Sequence, residues 1–83
     1  MARVLLVDDE PSILNVLNTL MKAEGHDPVS IRGGEKAIET MLSDRFDLMI
    51  SDIRMSPVDG MQLLKTAHRE RPAMAVIMLT AYG

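Results

Sequence analysis

At 83 residues the chain is one domain or part of one, and a domain of that size buries only about 60% of the surface its unfolded form exposes. Its net charge of −3 is spread evenly, with no basic run suited to nucleic acid and no acidic tail. Without cysteine there are no disulfides or thiolate metal sites, no stretch approaches the roughly 20 apolar residues of a membrane helix, and the first apolar run is too short for a signal peptide, so a soluble cytoplasmic protein is the default expectation.

Arg3 to Val7 is a compact β-type run. From Pro11 the period changes: Ile13, Leu14, Val16, Leu17, Leu20 and Met21 recur at three- and four-residue spacing, which predicts an amphipathic helix. Pro11 suits a first turn and Gly25 suits the stop past Glu24. Such a helix, about 14 residues long, would extend about 21 Å. Pro28 to Ile31 reads as a short second strand, and proline at its start fits a sheet edge. After Gly33-Gly34, residues Ala37, Ile38, Met41 and Leu42 stripe a second helix. Phe46 to Ser51 is a third strand. Asp59 is a candidate N-cap for a third helix, with Met61, Leu64 and Ala67 inward and Lys65, Arg69 and Glu70 outward. Pro72 ends that region, and Met74 to Leu79 forms a fourth strand, apolar throughout.

The order is βαβαβαβ, which implies a mostly parallel sheet with helices on both faces. Strands without apolar/polar alternation agree, because both of their faces would be covered. Phe46 and Tyr82 are the only aromatic residues, so the eight methionines are expected to fill part of the core. No repeat, linker or low-complexity segment interrupts the pattern.

In open parallel sheets, ligands bind beyond the carboxyl ends of the strands, where strand order reverses. Asp8, Asp9 and Glu10 follow the first strand, Asp52 the third and Thr80 the fourth. Carboxylates brought within about 4 Å repel by about 4 kcal/mol per pair at an effective dielectric of about 20. Without a counter-ion one of them should keep its proton. A hard divalent cation removes that strain, and Mg2+ favours a few carboxylates with water and a phosphate oxygen. Each residue also has a plainer role: Asp9 or Glu10 as a helix cap, Asp52 opening a turn, Thr80 as an ordinary strand end. Their joint placement at strand ends favours the site. His26 and His68 have no partner at ligand spacing and read as exposed, and Gly33-Gly34 lacks the Lys-Ser/Thr of a phosphate-binding loop.

Three segments carry a resemblance: Val7-Asp8-Asp9-Glu10-Pro11, then Ser51-Asp52-Ile53-Arg54-Met55 leading to Asp59-Gly60-Met61, and Leu79-Thr80-Ala81-Tyr82-Gly83. With them the chain resembles the receiver (CheY-like) domain of two-component response regulators, and the last two segments are most similar to receivers of NtrC-type transcriptional regulators. The resemblance implies a flavodoxin-like, doubly wound parallel sheet of order 2-1-3-4. It implies that Asp52 is the phosphoacceptor, attacking a phosphohistidine on a partner sensor histidine kinase. Asp9 would bind Mg2+ directly, with Asp8 assisting through water. Asp52 would give another oxygen and the backbone carbonyl of Arg54 a third protein ligand. The Thr80 hydroxyl would hydrogen-bond the phosphoryl group and shift with it, while the Arg54 side chain points outward.

Two departures from the family pattern matter. Ser56 stands where the family usually has proline, with Pro57 after it, although the Asp52-to-Gly60 spacing is kept. The fourth helix, fifth strand and fifth helix of a complete receiver, with the clamping lysine and aromatic switch residue, have no counterpart in these 83 residues. Residues 1–83 are therefore expected to be the N-terminal portion of a single receiver domain, weak in phosphorylation and output. The fourth strand, Met74 to Leu79, would then be an apolar edge prone to self-association. A non-phosphorylated docking or dimerisation module is the alternative. A Mg2+-dependent phosphatase usually wants a second acid two residues after its nucleophile, where this chain has Arg54, so no turnover of other substrates is expected.

Overall fold

In a computed structural model of the chain, residues 1–79 are described. The elements alternate as β1 (Arg3–Val7), α1 (Pro11–Ala23), β2 (Asp27–Ile31), α2 (Gly34–Ser43), β3 (Leu48–Asp52), α3 (Gly60–Glu70) and β4 (Ala75–Leu79). All strand pairs are parallel and the sheet order is β2-β1-β3-β4. That is the expected order, and Pro28 lies on the edge strand β2, paired only through β1. No helix among the described residues is long and apolar enough to cross a membrane.

Alternate residues of the central strands feed two cores. Val4 and Leu6 of β1, with Ile50 of β3, pack against Leu14, Leu17 and Met21 of α1. Leu5 and Val7, with Met49, pack on the other side against Ala37 and Met41 of α2 and Leu63 and Ala67 of α3. β1 is apolar on both faces because helices cover both. Met41, Met49, Met55 and Met74 are all buried, so methionine does fill the interior, while Met1 and Met61 stay exposed.

Two helix faces differ from expectation. On α1, Leu14, Leu17 and Met21 lie at i, i+3 and i+7 and meet the sheet, whereas Ile13, Val16 and Leu20 form the next ridge and remain exposed. On α3 the buried set is Gly60, Leu63 and Ala67, not Met61, Leu64 and Ala67; Met61 is 46% exposed. The phase of α3 is set at its start. The Asp59 carboxylate accepts from the Gln62 N–H at 2.8 Å and Gln62 Oε1 accepts from the Asp59 N–H at 3.0 Å, a reciprocal capping box.

The amino end of the sheet is tied down by Arg3. Its guanidinium lies 2.8 Å from Asp44 and 3.4 Å from Asp27, and over the Phe46 ring at 4.9 Å, while the Arg3 main-chain N–H donates to the Asp47 carboxylate. His26 is half-buried rather than exposed: its Nδ1 accepts from the Ala2 N–H at 3.0 Å, which fixes the entry to β1. On the far side of the sheet, β4 pairs only with β3 among the described residues, and Ile77 on the α1 side is 48% exposed.

Candidate functional site

The last β1–β3 pair is Val7 with Ser51, so the next residues along the two central strands are Asp8 and Asp52. Adjacent strands lie about 4.8 Å apart, and the two acids therefore meet at the carboxyl end of the sheet. Asp8 is 4% exposed. Its Oδ1 accepts from the Glu10 N–H at 2.9 Å, a tight turn that brings the chain round to Pro11 and α1. Burial pushes the Asp8 carboxyl above its ordinary range. The negative charges of Asp52, Glu10 and Asp9 add to the rise, against the hydrogen bond from Glu10.

Asp52 is half-buried, and its Oδ1 accepts from the Arg54 N–H at 3.2 Å, so the turn-opening role and the site role coexist. Neither Asp9 nor Glu10 caps α1: Glu10 occupies the N-cap position without a side-chain bond. The Asp9 carboxylate turns instead across the cleft, where Oδ2 accepts from the Ser56 N–H at 3.4 Å. Asp9, Ile53, Arg54, Met55, Ser56 and Asp59 line an open cleft of about 500 Å3. Ser56, at the departure from the family pattern, thus contributes its main chain to the site. The α3 end of the cleft is fixed by Gly60, whose N–H donates to Ile53 O at 2.9 Å. A second cavity of about 520 Å3 lies at the amino end of the sheet between Arg3, Phe46 and Arg71, away from the strand-end acids.

One contact has no counterpart in the sequence reading. Arg32, just past β2, donates from Nε and Nη2 to the main-chain oxygen of Asp9 at 3.3 and 3.2 Å. Its position at the carboxyl end of a strand was the available signal. Thr80 lies outside the described residues, so its place relative to Asp52 is not part of this geometry.

Among the described residues, no three acidic or histidine side chains lie close enough to hold a metal by themselves. Mg2+ does not require three, since it usually takes one or two carboxylates and completes its shell with water and phosphate oxygens. Asp8 lies beside Asp52 at the strand ends, and Asp9 faces the cleft, so one or two of these carboxylates are what the site offers a cation. The rise at Asp8 comes first from burial, and the charges of Asp52, Glu10 and Asp9 add the part that a cation would offset.

Residues 4–83 match the model of the response regulator receiver domain family. The chain is 40% identical over 82 residues to transcriptional regulatory protein GlrR of Escherichia coli (strain K12), covering 99% of this chain and 18% of that protein. Response regulator protein TrrA of Thermotoga maritima, solved in complex with Mg(2+)-BeF, superposes with a TM-score of 0.94 at 34% identity, over 100% of this chain and 72% of that one. TrrA solved in complex with histidine kinase ThkA gives 0.92 at 34% identity, with the same coverage of both chains. The chain thus spans 18% of GlrR, which is less than a fifth of it. The parallel sheet of order 2-1-3-4 is that of this group. The chain belongs to the response regulator receiver domain family of two-component signalling.

Proposed function

We propose that Asp52 is the phosphoacceptor of this receiver and takes its phosphoryl group from a phosphohistidine on a sensor histidine kinase. The observation that carries the reading is the pairing of Asp52 with the buried Asp8 one step past the last β1–β3 pair, where the charge of Asp52 helps raise the Asp8 carboxyl. The TrrA structures, one with Mg(2+)-BeF and one with its kinase, support both the cation and the partner.

The Arg54 N–H holds Asp52 Oδ1, which leaves the second oxygen to attack phosphorus. An O–P bond forms, the P–N bond to the imidazole breaks, and the imidazole nitrogen leaves with its electron pair and picks up a proton from solvent. Positioning and charge neutralisation do most of the work in such transfers. By the family resemblance, Asp9 would hold Mg2+, with Asp8 assisting and Asp52 and the Arg54 carbonyl as further ligands. Bound there, Mg2+ offsets the negative charge gathered on the phosphoryl oxygens. The role of Thr80, a hydrogen bond to the phosphoryl group, rests on the family resemblance. The reading carries a cytoplasmic location and no catalysis beyond the chain's own phosphorylation.

The decisive measurement is intact-protein mass after incubation with acetyl phosphate and Mg2+. A gain of about 80 Da is expected, absent in Asp52→Asn. A gain that persists in Asp52→Asn overturns the assignment. A second reading, self-association through Met74 to Leu79, is favoured by the exposure of Ala75 and Ile77 on a strand paired on one side among the described residues.

A further inference from the structure

We infer that Arg32 is a positioning residue for the metal-binding loop, fixing the main chain at Asp9 and through it the aim of the Asp9 carboxylate. The inference rests on the Mg2+ site proposed above. The β1–α1 loop has few ties of its own at this point. Pro11 has no N–H to give, and the Glu10 N–H is taken by Asp8 Oδ1. The Asp9 carboxylate itself is held by one long contact, 3.4 Å from the Ser56 N–H. A single contact of that length does little to set direction.

Among the described residues, the loop's ties to the corner after β2 are the Asp8 N–H bond to Ile31 O at 3.3 Å and a fork from Arg32. Two donors of one rigid guanidinium, Nε and Nη2, converge on the Asp9 carbonyl at 3.3 and 3.2 Å. A planar fork restrains direction as well as distance, which a lysine ammonium on a flexible stem does not. The chain at the neighbouring Gly33 passes near the same carboxylate: a Cβ added there would come within van der Waals contact of Asp9 Oδ1, at 3.9 Å. The corner after β2 therefore meets Asp9 at its main chain and beside its carboxylate. Arg32 is exposed, so losing it should barely affect the fold. Its effect on the aim of a metal ligand should be larger, because outer-shell partners typically change metal affinity by about 10–100-fold.

Charge alone predicts the opposite sign. A guanidinium beside a cation site repels the cation, so a pure charge effect would make its removal tighten Mg2+. The test is a calorimetric titration of the chain with Mg2+ alone, with thermal midpoints measured without metal. Arg32→Met and Arg32→Lys should each weaken Mg2+ by roughly tenfold, with midpoints within about 2 °C of the parent. Unchanged or tighter binding in Arg32→Met overturns the inference, as does parental affinity in Arg32→Lys. A fall in both midpoints of more than about 5 °C overturns it too, since Arg32 would then hold the fold and not the loop. Asp9→Asn keeps the two assignments separable. If it abolishes binding while the Arg32 variants do not weaken it, only this inference falls; if it binds Mg2+ like the parent, the Mg2+ assignment falls and takes this inference with it.

Discussion

Gly60→Ala adds a single methyl group at the start of α3, directly behind Asp52. In an exposed helical turn the change would stabilise by up to about 1 kcal/mol through helix propensity and a less flexible unfolded chain. Here the added Cβ would collide with the Asp52 carbonyl oxygen, and would lie 2.7 Å from Ile53 Cα and 2.8 Å from Met78 Cε. The Met78 methyl can swing away, but the two main-chain atoms cannot move without shifting the loop that carries the acceptor. Overpacking of this kind typically costs about 1–3 kcal/mol. For a domain of this size each kcal/mol lowers the midpoint by about 4–8 °C, so the variant should melt roughly 5–20 °C below the parent. Circular-dichroism melts, run alongside the mass assay with acetyl phosphate, test both consequences: a lower midpoint and slower uptake at Asp52. Gly25→Ala is the control. Nothing lies within 4 Å of its added Cβ, and its φ of +83° makes the change cost about 1 kcal/mol locally, with uptake unaffected. Parental midpoint and parental uptake in Gly60→Ala would refute the claim that this contact sets the position of Asp52.

Asp8→Asn should melt higher than the parent at neutral pH. The Asp8 carboxyl is raised, so its favourable contribution is full below the ordinary aspartate value of about 3.9 and is lost as pH rises through the folded-state value; the gain from the variant should shrink as the pH is lowered toward about 3.9. Mg2+ should stabilise that variant less than the parent, and a parent that melts higher at neutral pH without metal would contradict the electrostatic reading. Asp59→Ala removes the capping box and should cost about 1 kcal/mol in a denaturant titration, with little change if the box is incidental. Leu63→Ala, at a fully buried position, should cost about 2–5 kcal/mol, whereas Met61→Ala on the exposed side should cost well under 1 kcal/mol. Ile77→Lys should reduce any concentration-dependent association seen by size-exclusion chromatography; a parent that stays monomeric at high concentration removes the β4-edge reading.

Element type and order followed from period changes that are unambiguous in this chain. β1 runs from Arg3 to Val7 as expected, because charged residues follow its apolar run, and α1 begins at Pro11 as expected, because proline suits a first turn, but ends at Ala23, one residue before the expected Glu24. Phase was harder. The adjacent Leu63 and Leu64 satisfy a helical period equally well, and it is Leu63, on the same face as Gly60 packed against the Asp52–Ile53 main chain, that turns inward. The strand-end acids were legible only as a set, because each alone has a plainer use as a helix cap or turn opener and it is their joint placement at strand ends that points to a site. The register that sets Asp8 beside Asp52 needed the sheet itself. The Ser56 N–H on Asp9 and the Arg32 fork depend on the path of two irregular loops, which no periodicity encodes.

The two central strands have a further consequence for how the site behaves when the protein breathes. Val4 and Leu48 pair although 44 residues separate them, and β2 and β4 lie outside that pair. Local opening in native proteins begins at edges and sparsely packed segments and reaches central strands only near the global free energy. Fraying of β2 or β4 can therefore come and go while Asp8 and Asp52 keep their relation. In hydrogen exchange, amides of β1 and β3 should be the last to exchange, and the acid pair should endure until the sheet comes apart as a whole.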